Sequence, residues 1–87
     1  MIEIFTKDYC GYCRRAKELL EARNLDYDEI DITHDPELAE EVVERTGRKT
    51  VPQIFIEGQA VGGYDDLVAL EISGELDRII LEATRAG

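Results

Sequence analysis

The only two cysteines of this chain stand three positions apart, in Cys10-Gly11-Tyr12-Cys13, between a short apolar strand and a helical pattern. No other feature restricts the fold as much. A sulfur at a strand-to-helix junction faces the unpaired N–H groups of the opening helical turn, whose partial positive charge favours thiolate over thiol. The second sulfur, one turn in, can close a disulfide on the first, because Cα atoms so placed fall within the roughly 4.4–6.8 Å that a relaxed S–S bond needs. Structural zinc wants four ligands, and with no second cysteine pair and a single His the site would be unfinished. A purely structural disulfide would close too short a loop to remove much chain entropy. Two ordinary buried cysteines are the plain alternative, and dithiol redox chemistry is the reading the placement favours.

Length and charge narrow the rest. With 87 residues the chain is expected to form one domain, 1–87, with a modest core and no separate substrate domain. Met1-Ile2-Glu3-Ile4-Phe5 opens straight into a strand with no basic-then-apolar leader, and no apolar run approaches a membrane-spanning length. A soluble protein of the reducing cytoplasm, with no membrane partner, is the expectation. Asp and Glu number 20 against 10 Lys and Arg, a net charge of −10 that argues against nucleic acid. Six of the ten cations gather near two segments: Lys7, Arg14, Arg15 and Lys17 flank the cysteines, and Arg48 and Lys49 precede the second proline. They make a candidate anion-attracting rim, although a solvated helix face accounts equally for Arg14, Arg15 and Lys17. Lys7, three residues before Cys10, is within reach of a thiolate or a bound carboxylate.

Periodicity places the elements. Ile2, Ile4 and Phe5 predict a buried strand, and Ala16, Leu19 and Leu20 predict a helix that ends near Asn24. Tyr27 to Ile32 alternates as a second strand. Asp35-Pro36 predicts a helix start, Ala39, Val42 and Val43 its apolar stripe and Gly47 its end. The resulting βαβ unit implies two parallel strands with a right-handed crossover. Gln53 to Ile56 is a third strand, joined by the turn Glu57-Gly58-Gln59 to a short fourth at Ala60-Val61. Tyr64, Leu67 and Val68 begin another helix, and Leu76, Ile79, Ile80 and Ala83 line a terminal one.

Two further motifs make sense beside the cysteines. In Thr50-Val51-Pro52 the proline removes a ladder donor, leaving Val51 backbone groups free to pair with an extended ligand; an edge-strand proline without a role is the bland alternative. In Gly62-Gly63-Tyr64-Asp65-Asp66 the glycines allow close backbone approach, the helix start offers N–H groups to a carboxylate, and Asp65 or Asp66 can accept an ammonium. Ordinary acidic N-capping is the competing account. Taken together, in this order and at these spacings, Cys10-Gly11-Tyr12-Cys13, Thr50-Val51-Pro52-Gln53 and Gly62-Gly63-Tyr64-Asp65-Asp66-Leu67 resemble a small bacterial-type dithiol glutaredoxin over nearly the whole chain.

The resemblance implies an α/β thioredoxin fold, a four-stranded mixed sheet flanked by helices, with the proline cis. It implies a glutathione-dependent disulfide oxidoreductase with Cys10 as nucleophile and Cys13 as resolving thiol, reducing protein disulfides and glutathione mixed disulfides. Glutathione would lie along Lys7, Tyr12, Thr50, Val51, Pro52, Gly63, Tyr64 and Asp65, with Asp66 as a second acceptor at its γ-glutamyl end. The implied partners are glutathione and disulfide-containing or glutathionylated proteins, and the implied state is a monomer. Two departures stand out. Gly11 replaces a common proline, and some relatives without that proline hold a [2Fe–2S] cluster between two subunits through the nucleophilic cysteine of each and two glutathiones, which makes a dimeric cluster carrier the alternative function, with Cys10 its only metal ligand. Ala39 stands where relatives often place a basic or amide side chain for a glutathione carboxylate, a lack that Arg48 or Lys49 would have to offset.

Overall fold

Ile2 and Ile4 bury one row of side chains and Phe5 the opposite row, so the first strand, β1 (Ile2–Thr6), must be covered on both faces. The computed structural model describes residues 1–86; Gly87, the last residue of the expected 1–87 domain, lies outside the described residues. The elements after β1 are α1 (Gly11–Ala22), β2 (Asp28–Asp31), α2 (Pro36–Thr46), β3 (Gln53–Ile56), β4 (Gln59–Gly62), α3 (Tyr64–Ser73) and α4 (Glu75–Ala86). The strands form one sheet in the order β2-β1-β3-β4, with β1 parallel to β2 and antiparallel to β3, and β3 antiparallel to β4. This is the mixed four-stranded sheet that the sequence implied.

Two apolar clusters hold the layers. On one face Ile2, Ile4, Ile54 and Ile56 meet Ala16 and Leu20 of α1, Leu67 of α3 and Leu76 of α4. On the other, Phe5 and Phe55 pack edge to face, ring centroids 5.5 Å apart, against Val42 of α2 and Ile32. Arg23, just past the end of α1, pairs with Glu71 of α3 and Asp77 of α4 and so ties three helices at the end far from the cysteines.

Local chemistry sets the boundaries. Asp35 accepts the Leu38 N–H at 3.1 Å, Pro36 occupies the first helical position, and Gly47 closes α2 at φ 73°. The second strand is shorter than the predicted Tyr27 to Ile32, because its ladder with β1 runs only from Asp28 to Asp31. The fourth is longer than Ala60-Val61, since Gln59 pairs with Ile56 and Gly62 with Ile54 across a register shift.

Candidate active site

Cys10 caps the N-terminus of α1 and its sulfur accepts the Cys13 N–H at 3.1 Å. A donor so placed stabilises negative charge on that sulfur. Its thiol also lies 3.5 Å from the Val51 carbonyl, which fastens the reactive atom to the loop before β3. The cysteines differ sharply in access: Cys10 is partly exposed, whereas Cys13 is 2% exposed on the buried stripe of α1 with Ala16 and Leu20. Burial pushes the Cys13 thiol up to about 12, the hydrogen bond and charge of Cys10 add to this, and the Lys7 backbone amide and the Lys17 ammonium pull the other way.

A groove of about 310 Å³ runs beside Cys10, walled by Tyr12, Arg48, Thr50, Val51, Pro52, Gly63, Tyr64, Asp65 and Asp66. The Val51–Pro52 peptide is cis, as the resemblance implied. Tyr12 and Tyr64 frame one side, ring centroids 6.0 Å apart, and Arg15 stands over the Tyr12 ring. Gly63 lies so close to the proline loop that a Cβ there would sit 3.4 Å from the Pro52 carbonyl oxygen. Gly62 is tighter still: at φ 117° a Cβ would fall 2.3 Å from an Asp66 carboxylate oxygen. At Gly11, in contrast, a Cβ would meet nothing within 4 Å.

Seven of the eight predicted binding residues therefore share one groove, Tyr12, Thr50, Val51, Pro52, Gly63, Tyr64 and Asp65. Lys7 is not on its wall; its backbone carbonyl accepts the Cys10 N–H at 3.3 Å and braces the loop beneath the sulfur. Asp66, expected as a second acceptor, also lines the groove; one of its carboxylate oxygens takes the Gly63 N–H at 2.9 Å and Arg48 at 2.7 Å, and the Arg48 guanidinium, followed by that N–H, holds it below the usual carboxylate range. Among the described residues, Asp65 makes no side-chain hydrogen bond or ion pair, and it is exposed on the groove wall. Ala39 packs against the apolar cluster on the other face of the sheet with Phe5 and Val42, and is not among the residues that wall the groove.

These features agree with sequence comparison. The glutaredoxin family model matches residues 2–61. The chain belongs to the glutaredoxin family. It is 47% identical to Glutaredoxin 3 of Escherichia coli (strain K12) over 79 residues, 91% of this chain and 95% of the relative. It is 46% identical to a glutaredoxin of Pseudomonas aeruginosa, again over 79 residues, 91% of this chain and 94% of that one. Among solved structures, a buckwheat glutaredoxin–glutathione complex superposes with a TM-score of 0.89 at 30% identity, covering 95% of this chain and 78% of that one. The solution structure of a Brucella melitensis glutaredoxin gives 0.81 at 50% identity, covering 90% and 85%. The fold is the thioredoxin fold of these neighbours, and this glutaredoxin is a glutathione-dependent thiol–disulfide oxidoreductase.

One supporting residue of this glutaredoxin escapes sequence reasoning. Gln53, fully buried at the start of β3, donates through Nε2 to the Thr50 carbonyl at 3.0 Å and to the Thr50 hydroxyl at 3.3 Å, and so shapes the loop that carries Val51. Its one visible signal is an amide side chain in a strand whose other residues are Ile, Phe and Ile.

Proposed function

We propose that Cys10 is the nucleophile and Cys13 the resolving thiol of a redox cycle acting on glutathionylated proteins and protein disulfides, with glutathione held in the groove beside Cys10. The observation that carries this reading is the Cys10 sulfur itself, set between the Cys13 N–H and the Val51 carbonyl at the end of that groove. The Cys10 thiolate attacks the glutathione sulfur of a mixed disulfide, the Cys10–glutathione bond forms, and the freed protein thiolate leaves and is protonated. A second glutathione then attacks the bound glutathione sulfur, releasing glutathione disulfide and the Cys10 thiolate, or Cys13 attacks the Cys10 sulfur, forming the Cys10–Cys13 disulfide and releasing the first glutathione as thiolate.

The groove suits a tripeptide with two carboxylates and one ammonium. Val51 and Thr50 offer backbone groups to its cysteinyl unit, the start of α3 beside Gly63 offers the Tyr64 and Asp65 N–H groups to a carboxylate, and the Asp65 side chain faces the ammonium. Pro52 shapes that wall and Tyr12 borders the sulfur end, with Lys7 supporting the Cys10 loop. The buckwheat relative, solved as a complex with glutathione, supports this occupant. We place the protein in a reducing cytoplasm as a one-domain monomer, a reading that rests on its cysteine usage.

The test is turnover of a glutathionylated peptide coupled to glutathione reductase. Cys10→Ser is expected to abolish it, and Cys13→Ser to keep roughly the wild-type order of rate, since glutathione itself can resolve the intermediate. Wild-type turnover in Cys10→Ser would overturn the assignment. The [2Fe–2S] alternative would draw one thiolate from each of two chains, and with Cys13 buried Cys10 is the accessible sulfur that this chain offers. A brown, glutathione-dependent dimer after anaerobic purification would establish that role.

A further inference from the structure

On the sheet face that α1 covers, β1 presents Ile2, Ile4 and then Thr6, a hydroxyl residue 1% exposed in an otherwise apolar row. Its Oγ1 donates to Glu29 of β2 at 2.7 Å. Glu29 in turn takes the ammonium of Lys17, both carboxylate oxygens lying 3.1–3.2 Å from Nζ. Lys17 is one helical turn beyond Cys13, on the same side of α1. Three elements thus converge to fix a single cation one helical turn from the buried thiol. As a surface ion pair this would add about 1 kcal/mol or less and invite no comment. A buried hydroxyl aimed into it, on the side of α1 that carries the buried sulfur, is a different arrangement.

We propose that Lys17, anchored by Glu29 and Thr6, is a positioning residue for the resolving step, its ammonium stabilising negative charge on Cys13 as that sulfur attacks the Cys10 mixed disulfide. The inference rests on the dithiol reading above. In that step the Cys13–Cys10 bond forms, the bond from Cys10 to the bound thiol breaks, and the electron pair leaves on the departing sulfur. The cysteine pair is oxidised by two electrons and the departing thiol reduced, while the proton lost from Cys13 is matched by one taken up on the leaving group.

The other charged groups near Cys13 are engaged or point to the same conclusion. Lys7 contributes its backbone amide from the loop after β1. Asp31, next along that face of β2, is held by the Thr33 amide and hydroxyl. From α3, Glu71 is bound by Arg23 at the far end of α1. Glu29 can occupy two of the three ammonium donors, which leaves the third.

The test uses the mixed disulfide that 5,5′-dithiobis(2-nitrobenzoate) forms on Cys10. Attack by Cys10 releases one coloured thionitrobenzoate and resolution by Cys13 releases the second, so stopped-flow mixing reads the two steps separately. Lys17→Met is expected to leave the first release within twofold of wild type, to slow the second about tenfold at neutral pH, and to move its pH midpoint upward, tenfold corresponding to one pKa unit. Lys17→Arg should restore the second release to within threefold. A second release within twofold of wild type in Lys17→Met, or equal slowing of both, overturns the proposal, and Lys17→Gln carries the same thresholds should the Met variant not fold. Thionitrobenzoate stands in for glutathione, so failure here and failure of glutathione binding register separately.

Discussion

Asp66 holds two donors on one carboxylate oxygen, the Gly63 N–H and the Arg48 guanidinium, while its neighbour Asp65 is exposed on the groove wall. The pair differs in role because Asp66 is the third residue of α3, where helix geometry brings its side chain back to the N-cap Gly63 N–H, whereas Asp65 is the second. Arg48 and the Gly63 N–H lower the Asp66 pKa, so its ionised form favours the folded state. The sign follows: this contribution is complete above the ordinary carboxylate value of about 3.9, and it is lost as pH falls through the lower folded value. With 41% of the side chain exposed, solvent keeps it to about 1 kcal/mol or less. We expect the Gly63 amide resonance to titrate below the ordinary carboxylate range in the native protein and to stay flat in Asp66→Asn. At this scale the cysteines and the three motifs were legible because each is a contiguous run with its own chemistry. The Arg48–Asp66 pair was not, because it joins positions 18 apart through a backbone turn that local patterning does not encode.

Among the elements, α1 starts directly after Cys10, and its position depends on Ala16 and Leu20 against Ile4 and Ile54. Leu20 is fully buried, so Leu20→Ala removes both transfer energy and packing, a loss of about 2–5 kcal/mol. Urea unfolding should show the midpoint falling with an unchanged slope; a loss under about 1 kcal/mol would mean that α1 is anchored elsewhere. This helix was readable from its i, i+3, i+4 stripe, and α2 from Asp35-Pro36 and Gly47, signals that are local in both cases. The second strand was read too long. Tyr27 alternates correctly with its neighbours, but its hydroxyl bonds to Glu21 and its backbone lies before the first residue that β1 can pair. Register across a sheet depends on the partner strand, and a pattern within one strand cannot report it.

At the scale of the molecule, two acids among the described residues, Cys13 and Tyr27, have raised pKa values, and both act in alkali. Cys13 is pushed up to about 12 by burial, and Tyr27 to about 12 chiefly by its hydrogen bond to the Glu21 carboxylate. In each the neutral form is favoured by folding, so the stabilisation is complete below the unfolded values, about 8.5 for the thiol and about 10 for the phenol, and is lost as pH rises towards the folded ones. The reduced protein should therefore lose stability progressively above about pH 9, followed by the urea midpoint at each pH. Cys13→Ser should remove the part that begins at the thiol and Tyr27→Phe the part that begins at the phenol. A midpoint that stays constant into strong alkali would contradict the buried placement of Cys13.

Two glycines next in sequence to residues of the groove, Gly11 before Tyr12 and Gly62 before Gly63, offer opposite prospects to anyone remodelling what it accepts. Position 11, the first residue of α1, has open space where a Cβ would sit, and proline is favoured at such a position. Position 62 is closed: whatever replaced its hydrogen would strike the Asp66 carboxylate. A library built to redirect specificity should diversify the first and leave the second alone.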